Sequence, residues 1–352
     1  MAIDFLTDRN CAQGIIRAGV QLCFYLLGIA LLLSACVIPF FRGGARSRAA
    51  VLYIEEAAVS NFNDNLRFSR IGTNGIQLHV AEAGPAAGPL VFLLHGFPEF
   101  WFGWRNQIAP LAERGFHVVA PDQRGYNLSD KPEGVEAYDL DQLAADVLGL
   151  ADHFGQEIFG VVGHDWGATV GWWLASGPSR RLRQLVALNA PHPAVWLETM
   201  RDNPVQRRKS SYVRLFSIPW IPELLIGLNR SKGLSKGFHD CTRGDAFTAA
   251  DLEQYRKAWF QPRTLTATIN YYRALLRKPL LPASQYEVGC PTLVIWGKQD
   301  AYAIPELAET SAHLCVKPRI VYFEAGSHWI QHDQPGEVSR LLADFLTEGE
   351  PR

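Results

Sequence analysis

The sequence predicts an α/β protein built on a doubly wound, mostly parallel sheet of eight strands. Short apolar runs alternate with amphipathic stretches of helical length between residues 66 and 346, as in parallel sheets covered by helices. The runs at 90–94 and 158–162 are apolar throughout, which is typical of strands buried on both faces. Several runs end in glycine or polar residues, at the edge where such a sheet binds its ligands.

Eight apolar runs are predicted as strands and four amphipathic stretches as helices. The first two strands form a hairpin, because the Asn-Gly pair at 74–75 favours a tight turn. The helix at 140–154 carries Leu143, Val147 and Leu150 on one face. The predicted strands are 66–73, 76–83, 90–94, 118–120, 158–162, 185–188, 292–296 and 320–323. The predicted helices are 104–113, 140–154, 168–175 and 338–346.

The composition describes a globular protein. Of 352 residues, 48% are hydrophobic and 20% are charged, which is enough apolar material for a large core. The net charge of -1 implies no general attraction to nucleic acid. The six cysteines are scattered without the spacing of a zinc site, so we expect buried or lipid-facing thiols rather than a disulfide framework.

The N-terminal region contains an uncharged apolar run at 19–41, long enough to cross a bilayer as one helix. We expect a single-pass membrane anchor there, preceded by a tail at 1–18 and followed by a linker at 42–64. Positive charge is slightly heavier after the run than before it, which places the main domain in the cytoplasm by the positive-inside rule.

Two other interpretations of this run remain open. The sequence Leu-Ser-Ala-Cys at 33–36 has the form of a bacterial lipoprotein cleavage site, with Cys36 as the lipid-carrying residue of an exported protein. Against that alternative, apolar character continues through Phe41 and the stretch before the run is long and mixed in charge. A buried core helix is the third interpretation.

The sequence Gly-His-Asp-Trp-Gly at 163–167 organises the candidate site. It lies between a predicted strand and a predicted helix, the context of a nucleophile elbow that presents one side chain above a sheet. Glycines flank the tip because larger neighbours would clash in so tight a turn. The tip is Asp165 rather than Ser or Cys. A carboxylate there attacks carbon and leaves an ester that must then be hydrolysed.

Three further strand ends carry chemically useful residues. His95, Gly96 and Phe97 follow the third strand, Asp300 follows the seventh, and His328 follows the eighth. Taken singly, an aspartate after a strand is a common turn residue and a histidine is a common surface or core residue. Jointly, the order nucleophile, acid, histidine is the chain order of catalytic residues on a sheet of this kind.

With these motifs the sequence resembles the epoxide hydrolases of the α/β-hydrolase superfamily over about residues 65–346. It is most similar to their membrane-anchored members. The resemblance implies an α/β-hydrolase core at 65–190 and 285–350, with an inserted helical cap at 191–284. The motifs are His-Gly-Phe-Pro-Glu at 95–99 with Trp101 and Trp104-Arg105, Asp-Gln-Arg-Gly-Tyr at 122–126, the elbow at 163–167, and Gly-Ser-His-Trp at 326–329.

The resemblance also implies roles for the site residues. Two cap tyrosines, Tyr212 and Tyr272 rather than Tyr271, would donate hydrogen bonds to the epoxide oxygen. Asp165 would be the nucleophile, and His328, oriented by Asp300, would activate water as a neutral base, so activity is expected to fall on acidification. The predicted oxyanion donors are the backbone N–H groups of Phe97 and Trp166. The predicted substrate pocket contains Phe97, Trp101, Trp166 and Phe216. Neither a metal nor an organic cofactor is required, and the expected partners are a small apolar epoxide, water and a membrane.

Rival functions are weighed on the same residues. Hydrolytic dehalogenases use the same nucleophile. An Asn at position 97 would make this sequence resemble those enzymes, but the residue there is Phe. Fluoroacetate-type enzymes carry Arg where this chain has Trp166, and a carboxylesterase would need Ser at the elbow. A non-catalytic membrane-anchored binding domain would be expected to lack Asp165, Asp300 or His328, and all three are present.

Overall fold

A computed structural model describes residues 66–177, 179–228, 232–242 and 246–348. The chain divides into two units, Met1–Ala50 and Val51–Arg352, and all described residues belong to the second. The predicted anchor at 19–41 and Cys36 lie outside the described residues. Within the described ranges, every helix is too short or too polar to cross a membrane.

The core is one sheet of eight strands in the order β1-β2-β4-β3-β5-β6-β7-β8. Strand β2 pairs antiparallel with β1 and β4, and all other pairs are parallel. The predicted doubly wound, mostly parallel sheet is therefore confirmed. The strands are Arg67–Thr73 (β1), Ile76–Ala83 (β2), Leu90–Leu94 (β3), His117–Pro121 (β4), Phe159–His164 (β5), Leu182–Leu188 (β6), Thr292–Gly297 (β7) and Pro318–Phe323 (β8).

Local sequence accounts for these strands. Every residue of β3, β5 and β7 is buried, which explains their unbroken apolar character. The β1–β2 hairpin turns at Asn74 and Gly75, whose φ angles of 44° and 76° are the left-handed values that an Asn-Gly turn adopts readily.

Helices cover the sheet on both faces. One apolar core lies between the sheet and the helices at 140–153 and 166–176, and the other between the sheet and the helices at 108–113 and 335–347. The helices outside the cap are Ile108–Glu113 (α1), Leu140–His153 (α2), Trp166–Ser176 (α3), Glu306–Ala312 (α11), Ile330–Asp333 (α12) and Pro335–Thr347 (α13). Short 3-10 helices occur at Trp101–Trp104, Glu136–Tyr138 and Ala283–Gln285.

The predicted helix at 104–113 is wrong in extent. The chain instead forms the 3-10 helix Trp101–Trp104 and then α1, which begins only at Ile108. The Trp101 N–H donates to the buried Asp122 carboxylate, so the turn starts earlier than the apolar pattern indicates. The N–H of Gln107 then bonds the carbonyl of Trp104, three residues back, in place of a regular helical bond.

The described part of the segment between β6 and β7 consists of helices joined by turns and loops, with no named strand. It carries the helices Pro193–Asp202 (α4), Pro204–Lys209 (α5), Ser211–Ser217 (α6), Ile221–Leu228 (α7), Lys232–Cys241 (α8), Ala249–Trp259 (α9) and Thr264–Arg277 (α10). Helices α6 and α10 pack against each other. Both present side chains to the carboxyl ends of the parallel strands, where the candidate site lies.

Candidate active site

Asp165 sits at the tip of a strained turn between β5 and α3. Its φ of 51° and ψ of -118° are costly for a residue with a side chain, and such strain is characteristic of functional turns. A Cβ atom at Gly163 would collide with the backbone of Gly167 and Ala168, and one at Gly96 would collide with Asp165 itself. The small neighbours therefore allow the turn to close while the carboxylate points into the cavity.

The two oxygens of Asp165 meet different groups. Oδ1 accepts a hydrogen bond of 2.8 Å from the backbone N–H of Phe97, and Oδ2 lies 3.6 Å from Nε2 of His328. Trp166 opens α3, and the first N–H groups of a helix have no partner inside it. One carboxyl oxygen thus already lies against a backbone donor that could stabilise a developing oxyanion.

His328 is held by a buried carboxylate. Its Nδ1 donates to Oδ2 of Asp300 over 2.8 Å, and Nδ2 of Asn189 donates to the same oxygen over 2.8 Å. Oδ1 of Asp300 accepts from the backbone N–H groups of Tyr302 and Ala303, at 2.7 and 3.0 Å. Burial alone would raise the pKa of Asp300, but His328 and these donors outweigh it, so the pKa lies below its ordinary value.

The imidazole of His328 lies between two carboxylates. Burial works against its protonated form, but the negative charges and hydrogen bonds of Asp300 and Asp165 outweigh burial and raise the pKa of His328 to about 10. The protonated form of His328 is therefore favoured between the two carboxylates.

Tyr212 of α6 and Tyr272 of α10 face this group from the cap. Their ring centroids are 5.9 Å apart. Burial is the main cause that raises the pKa of each phenol. The charge of Asp165 adds to the shift of Tyr212, and Tyr212 and Asp165 add to the shift of Tyr272. Both hydroxyls therefore stay protonated as donors. Tyr271 instead donates from its hydroxyl to the carbonyl of Arg124 over 2.7 Å, inside the core.

Two cavities meet at these residues. The smaller has a volume of about 60 Å³ and the larger about 160 Å³. Both are lined by Asp165, Tyr212, Tyr272, Tyr302 and His328. The smaller continues along Trp166, Thr169 and Trp196, and the larger along Phe97, Phe216, Leu234, Gly237 and Trp329. The site is therefore a mostly apolar space in two parts, with Asp165, His328 and the cap tyrosines where the two parts meet.

The comparisons with known proteins agree with this geometry. A model of the alpha/beta hydrolase fold family matches residues 89–335. AB hydrolase superfamily protein YfhM of Bacillus subtilis is 44% identical over 283 residues, covering 80% of this chain and 99% of that protein. Epoxide hydrolase 4 of Homo sapiens is 37% identical over 287 residues, covering 80% of this chain and 78% of that protein. This chain belongs to the epoxide hydrolase family of α/β-hydrolases.

A solved structure supports the same assignment. The crystal structure of a Bacillus megaterium epoxide hydrolase in complex with an inhibitor superposes with a TM-score of 0.70 at 31% identity, covering 79% of this chain and 100% of that chain. The prediction of an α/β-hydrolase fold with a helical cap and the prediction of an epoxide hydrolase are both confirmed.

One predicted pocket residue of this epoxide hydrolase is wrongly placed. Trp101 is 1% exposed and lines neither cavity. Its ring packs edge-on against Phe68 and Phe102 on the far side of the 3-10 turn. The hydrogen bond from its N–H to Asp122 orients the turn, so that the indole points into the core. Trp101 is a packing residue.

Sequence reasoning missed the buried Glu99 carboxylate. It accepts hydrogen bonds from the hydroxyl of Tyr255 (2.8 Å), Nε2 of His332 (2.7 Å) and Nδ1 of His164 (3.1 Å). Nε2 of His164 in turn donates to the carbonyl of His328 over 2.9 Å. Glu99 therefore joins the elbow, the cap and the loop of His328. The signal available was His164 inside the elbow motif, but its partners are distant in sequence.

Within the ranges that the structure describes, no group of three or more His, Cys, Asp or Glu side chains is arranged to hold a metal ion. The acidic and imidazole groups of the site are instead engaged with one another or with backbone donors.

Proposed function

We propose that the protein hydrolyses epoxides to vicinal diols through an ester between a substrate carbon and Asp165. One observation carries the proposal. The carboxylate of Asp165 lies between the N–H of Phe97 and the imidazole of His328, and faces two protonated tyrosines across a cavity. A nucleophile, a water-activating group and donors for a leaving oxygen are the parts that two-step epoxide opening requires.

In the first step, the epoxide oxygen accepts hydrogen bonds from Tyr212 and Tyr272. Asp165 attacks a ring carbon from the opposite side, forming a C–O bond as the ring C–O bond breaks. The electron pair goes to the epoxide oxygen, which takes a proton from a tyrosine. The raised pKa values of both phenols support this role, because each hydroxyl reaches the reaction protonated.

In the second step, water attacks the carboxyl carbon of the ester. Ester formation removes the charge of Asp165, one of the two carboxylates that raise the pKa of His328. The pKa of His328 therefore falls, and His328 gives its proton to the tyrosine that lost one in the first step. Neutral His328 is then the base that activates water.

The backbone N–H of Phe97 stabilises the tetrahedral oxyanion, with Trp166 as the proposed second donor. The intermediate then collapses by breaking the bond between the carboxyl carbon and the substrate-bound oxygen, which leaves in the diol with the proton that His328 took from water. The carboxylic acid of Asp165 returns its own proton to His328, which restores the starting state.

The shape of the site favours an epoxide with one large apolar substituent. The larger cavity is lined mainly by apolar and aromatic side chains, and the smaller leaves little room beyond the reactive carbon. Lipid-derived or aryl epoxides fit these properties.

Hydrolytic dehalogenation is the alternative that uses the same nucleophile. A departing halide needs N–H donors, and Trp166 could supply one from its side chain. The two tyrosines that line both cavities favour a departing oxygen instead, because an oxygen must also receive a proton.

We also propose that residues 19–41 anchor the protein as a single membrane span, with the catalytic unit in the cytoplasm. Their uncharged length supports this, and an exported lipoprotein carrying lipid on Cys36 is the alternative. Intact mass of the membrane-extracted protein distinguishes the two. A retained Met1 segment supports the anchor, whereas cleavage before Cys36 with added lipid mass excludes it.

The covalent scheme is tested with His328→Gln and a small aryl epoxide such as styrene oxide. This variant should gain one substrate mass in intact-protein mass spectrometry, because the ester forms but water is not activated. Asp165→Asn is the control and should gain none. An unaltered mass of His328→Gln, while the wild type releases diol, would reject the ester. Halide release from 1-bromobutane without diol formation from any epoxide would favour the dehalogenase.

A further inference from the structure

The cap carries an exposed apolar face that the catalytic scheme does not use. Six side chains from α6, α7 and the turn between them form this face: Leu215, Ile218, Trp220, Ile221, Leu225 and Leu228. Trp220 is 71% exposed, Leu228 68% and Leu225 50%. The six together expose roughly several hundred Å² of apolar surface, a size that marks interaction sites on soluble proteins.

Helix α7 has its polarity reversed relative to a water-facing helix. Ile221, Leu225 and Leu228 occupy positions i, i+4 and i+7, so they form one stripe along the helix, and that stripe faces solvent. The acidic residue of the helix, Glu223, is buried beneath it. Such an arrangement leaves apolar side chains in water unless another surface covers them.

The backbone of this face is held rigidly. The guanidinium of Arg273 donates to the carbonyls of Phe216 (3.0 Å) and Ile218 (2.8 Å), and to the carboxylate of Glu223 (2.7 Å). Trp220 adopts a left-handed backbone with a φ of 63°, which is costly for a bulky residue. The exposed indole is therefore a preorganised feature and not the tip of a loose loop.

The charges around the face identify its occupant. Arg207, Arg208 and Arg214 are exposed on the adjoining helices, and the acid between residues 203 and 228, Glu223, is buried against Arg273. Apolar side chains with exposed arginines on the adjoining helices match an anionic bilayer, where arginines meet lipid phosphates and tryptophan settles among the headgroups.

We propose that this cap face docks onto the surface of an anionic lipid bilayer, with Trp220 at headgroup depth. Helix α6 links the face to the cavity, because Leu215 points outward while Tyr212 and Phe216 of the same helix line the larger cavity. When the face is docked, only helix α6 separates the apolar cavity from the hydrocarbon of the bilayer. The proposal goes beyond epoxide hydrolysis and stands without it.

Quenching of tryptophan fluorescence by brominated lipid tests the docking. The full chain is reconstituted into vesicles of brominated phosphatidylcholine, with or without about one third phosphatidylglycerol, a lipid that supplies the negative surface charge. Among the ten tryptophans, Trp220 is the exposed one, so it should dominate the quenching. We expect Trp220→Phe to lose more than half of the quenching that the wild type shows in anionic vesicles.

Charge reversal tests the choice of lipid. The double variant Arg208→Glu/Arg214→Glu should lose more than half of the quenching, as Trp220→Phe does. This loss is expected even if another segment keeps the protein attached to the vesicle, because Trp220 then no longer reaches the lipid. Arg114→Glu/Arg256→Glu changes exposed arginines elsewhere by the same net charge, and should keep it. Equal quenching of the wild type and Trp220→Phe would overturn the docking. Full quenching in neutral vesicles, or in the Arg208→Glu/Arg214→Glu variant, would overturn the claim that the face binds an anionic bilayer. A dimer in sedimentation that Leu225→Ser dissociates would reassign the face to a second copy of the chain.

Discussion

The imidazole of His328 lies with Nε2 3.6 Å from Oδ2 of Asp165, while its Nδ1 bonds Asp300. This places the imidazole between Asp165 and the buried Asp300, so the protonation of His328 depends on the charge of Asp165. As a carboxylate, Asp165 helps to raise the pKa of His328 to about 10. As an ester it contributes no charge, and the pKa must fall.

The two chemical steps are therefore expected to depend differently on pH. Ester formation proceeds with protonated His328 and should weaken only as pH rises toward 10. Ester hydrolysis needs neutral His328 and should weaken on acidification, with a midpoint below that of the first step. Single-turnover rapid quenching with intact-mass detection measures both rates between pH 5 and 10 on the wild type. One midpoint shared by both steps would contradict the coupling of His328 to Asp165.

Removing the hydroxyl of Tyr212 or Tyr272 should slow ring opening. We expect each single Phe variant to lose roughly 100- to 1000-fold in the rate of ester formation, because one donor to the developing alkoxide is lost. The rate of ester hydrolysis should change little. Tyr271→Phe is a matched control on the same helix, since Tyr271 bonds the Arg124 carbonyl and not the cavity. Near-normal ester formation in the Tyr212→Phe/Tyr272→Phe double variant would reject their role.

The positions of the reactive groups are predictable because each follows a strand whose apolar run is visible in the sequence. Asp165 comes directly after such a run and His328 lies five residues beyond another, and parallel strands bring their carboxyl ends to one edge. The elbow at 163–167 can also be predicted from the sequence, since its strained turn requires glycine at neighbouring positions.

Contacts between distant segments are not predictable in the same way. Glu99 meets His164, Tyr255 and Gln331, which are 65, 156 and 232 residues away. Trp101 lies in a motif rich in aromatic residues, and its burial and its ring contacts with Phe68 and Phe102 show that the ring turns into the core. Both depend on tertiary packing, which a local pattern does not contain.

Filling the larger cavity should narrow the range of substrates. Gly237 lines it, and an added Cβ would lie 3.5 Å from the hydroxyl of Tyr302, so a small side chain fits and a large one projects into the cavity. We expect Gly237→Phe to lower kcat/KM for aryl epoxides roughly tenfold or more, with little effect on propylene oxide. Thr169→Leu is the matched control, because it fills the smaller cavity instead of the larger one. It should disfavour epoxides substituted on both carbons. Equal losses on all substrates in both variants would show that the cavities do not select by substituent.

Glu99 should contribute to stability in a pH-dependent way. Burial opposes its charge, but His332 and His164 outweigh burial and hold its pKa well below 4.5. Above pH 4.5 the carboxylate is charged in both folded and unfolded chains, so its full contribution is present. Below pH 4.5 the unfolded chain takes up a proton that the folded chain does not, and the contribution declines as pH falls toward the folded pKa.

Glu99→Gln should therefore lower the free energy of unfolding by about 3 kcal/mol at neutral pH, since buried donors lose a charged acceptor. The difference from the wild type should stay constant above pH 5 and shrink below pH 4.5. Glu324→Gln is the control, because that carboxylate is 80% exposed in its pair with Lys298 and should contribute little at any pH. Denaturant unfolding at several pH values measures each difference. A Glu99 difference that is small at pH 7, or that grows on acidification, would mean that its four donors do not stabilise the charged form.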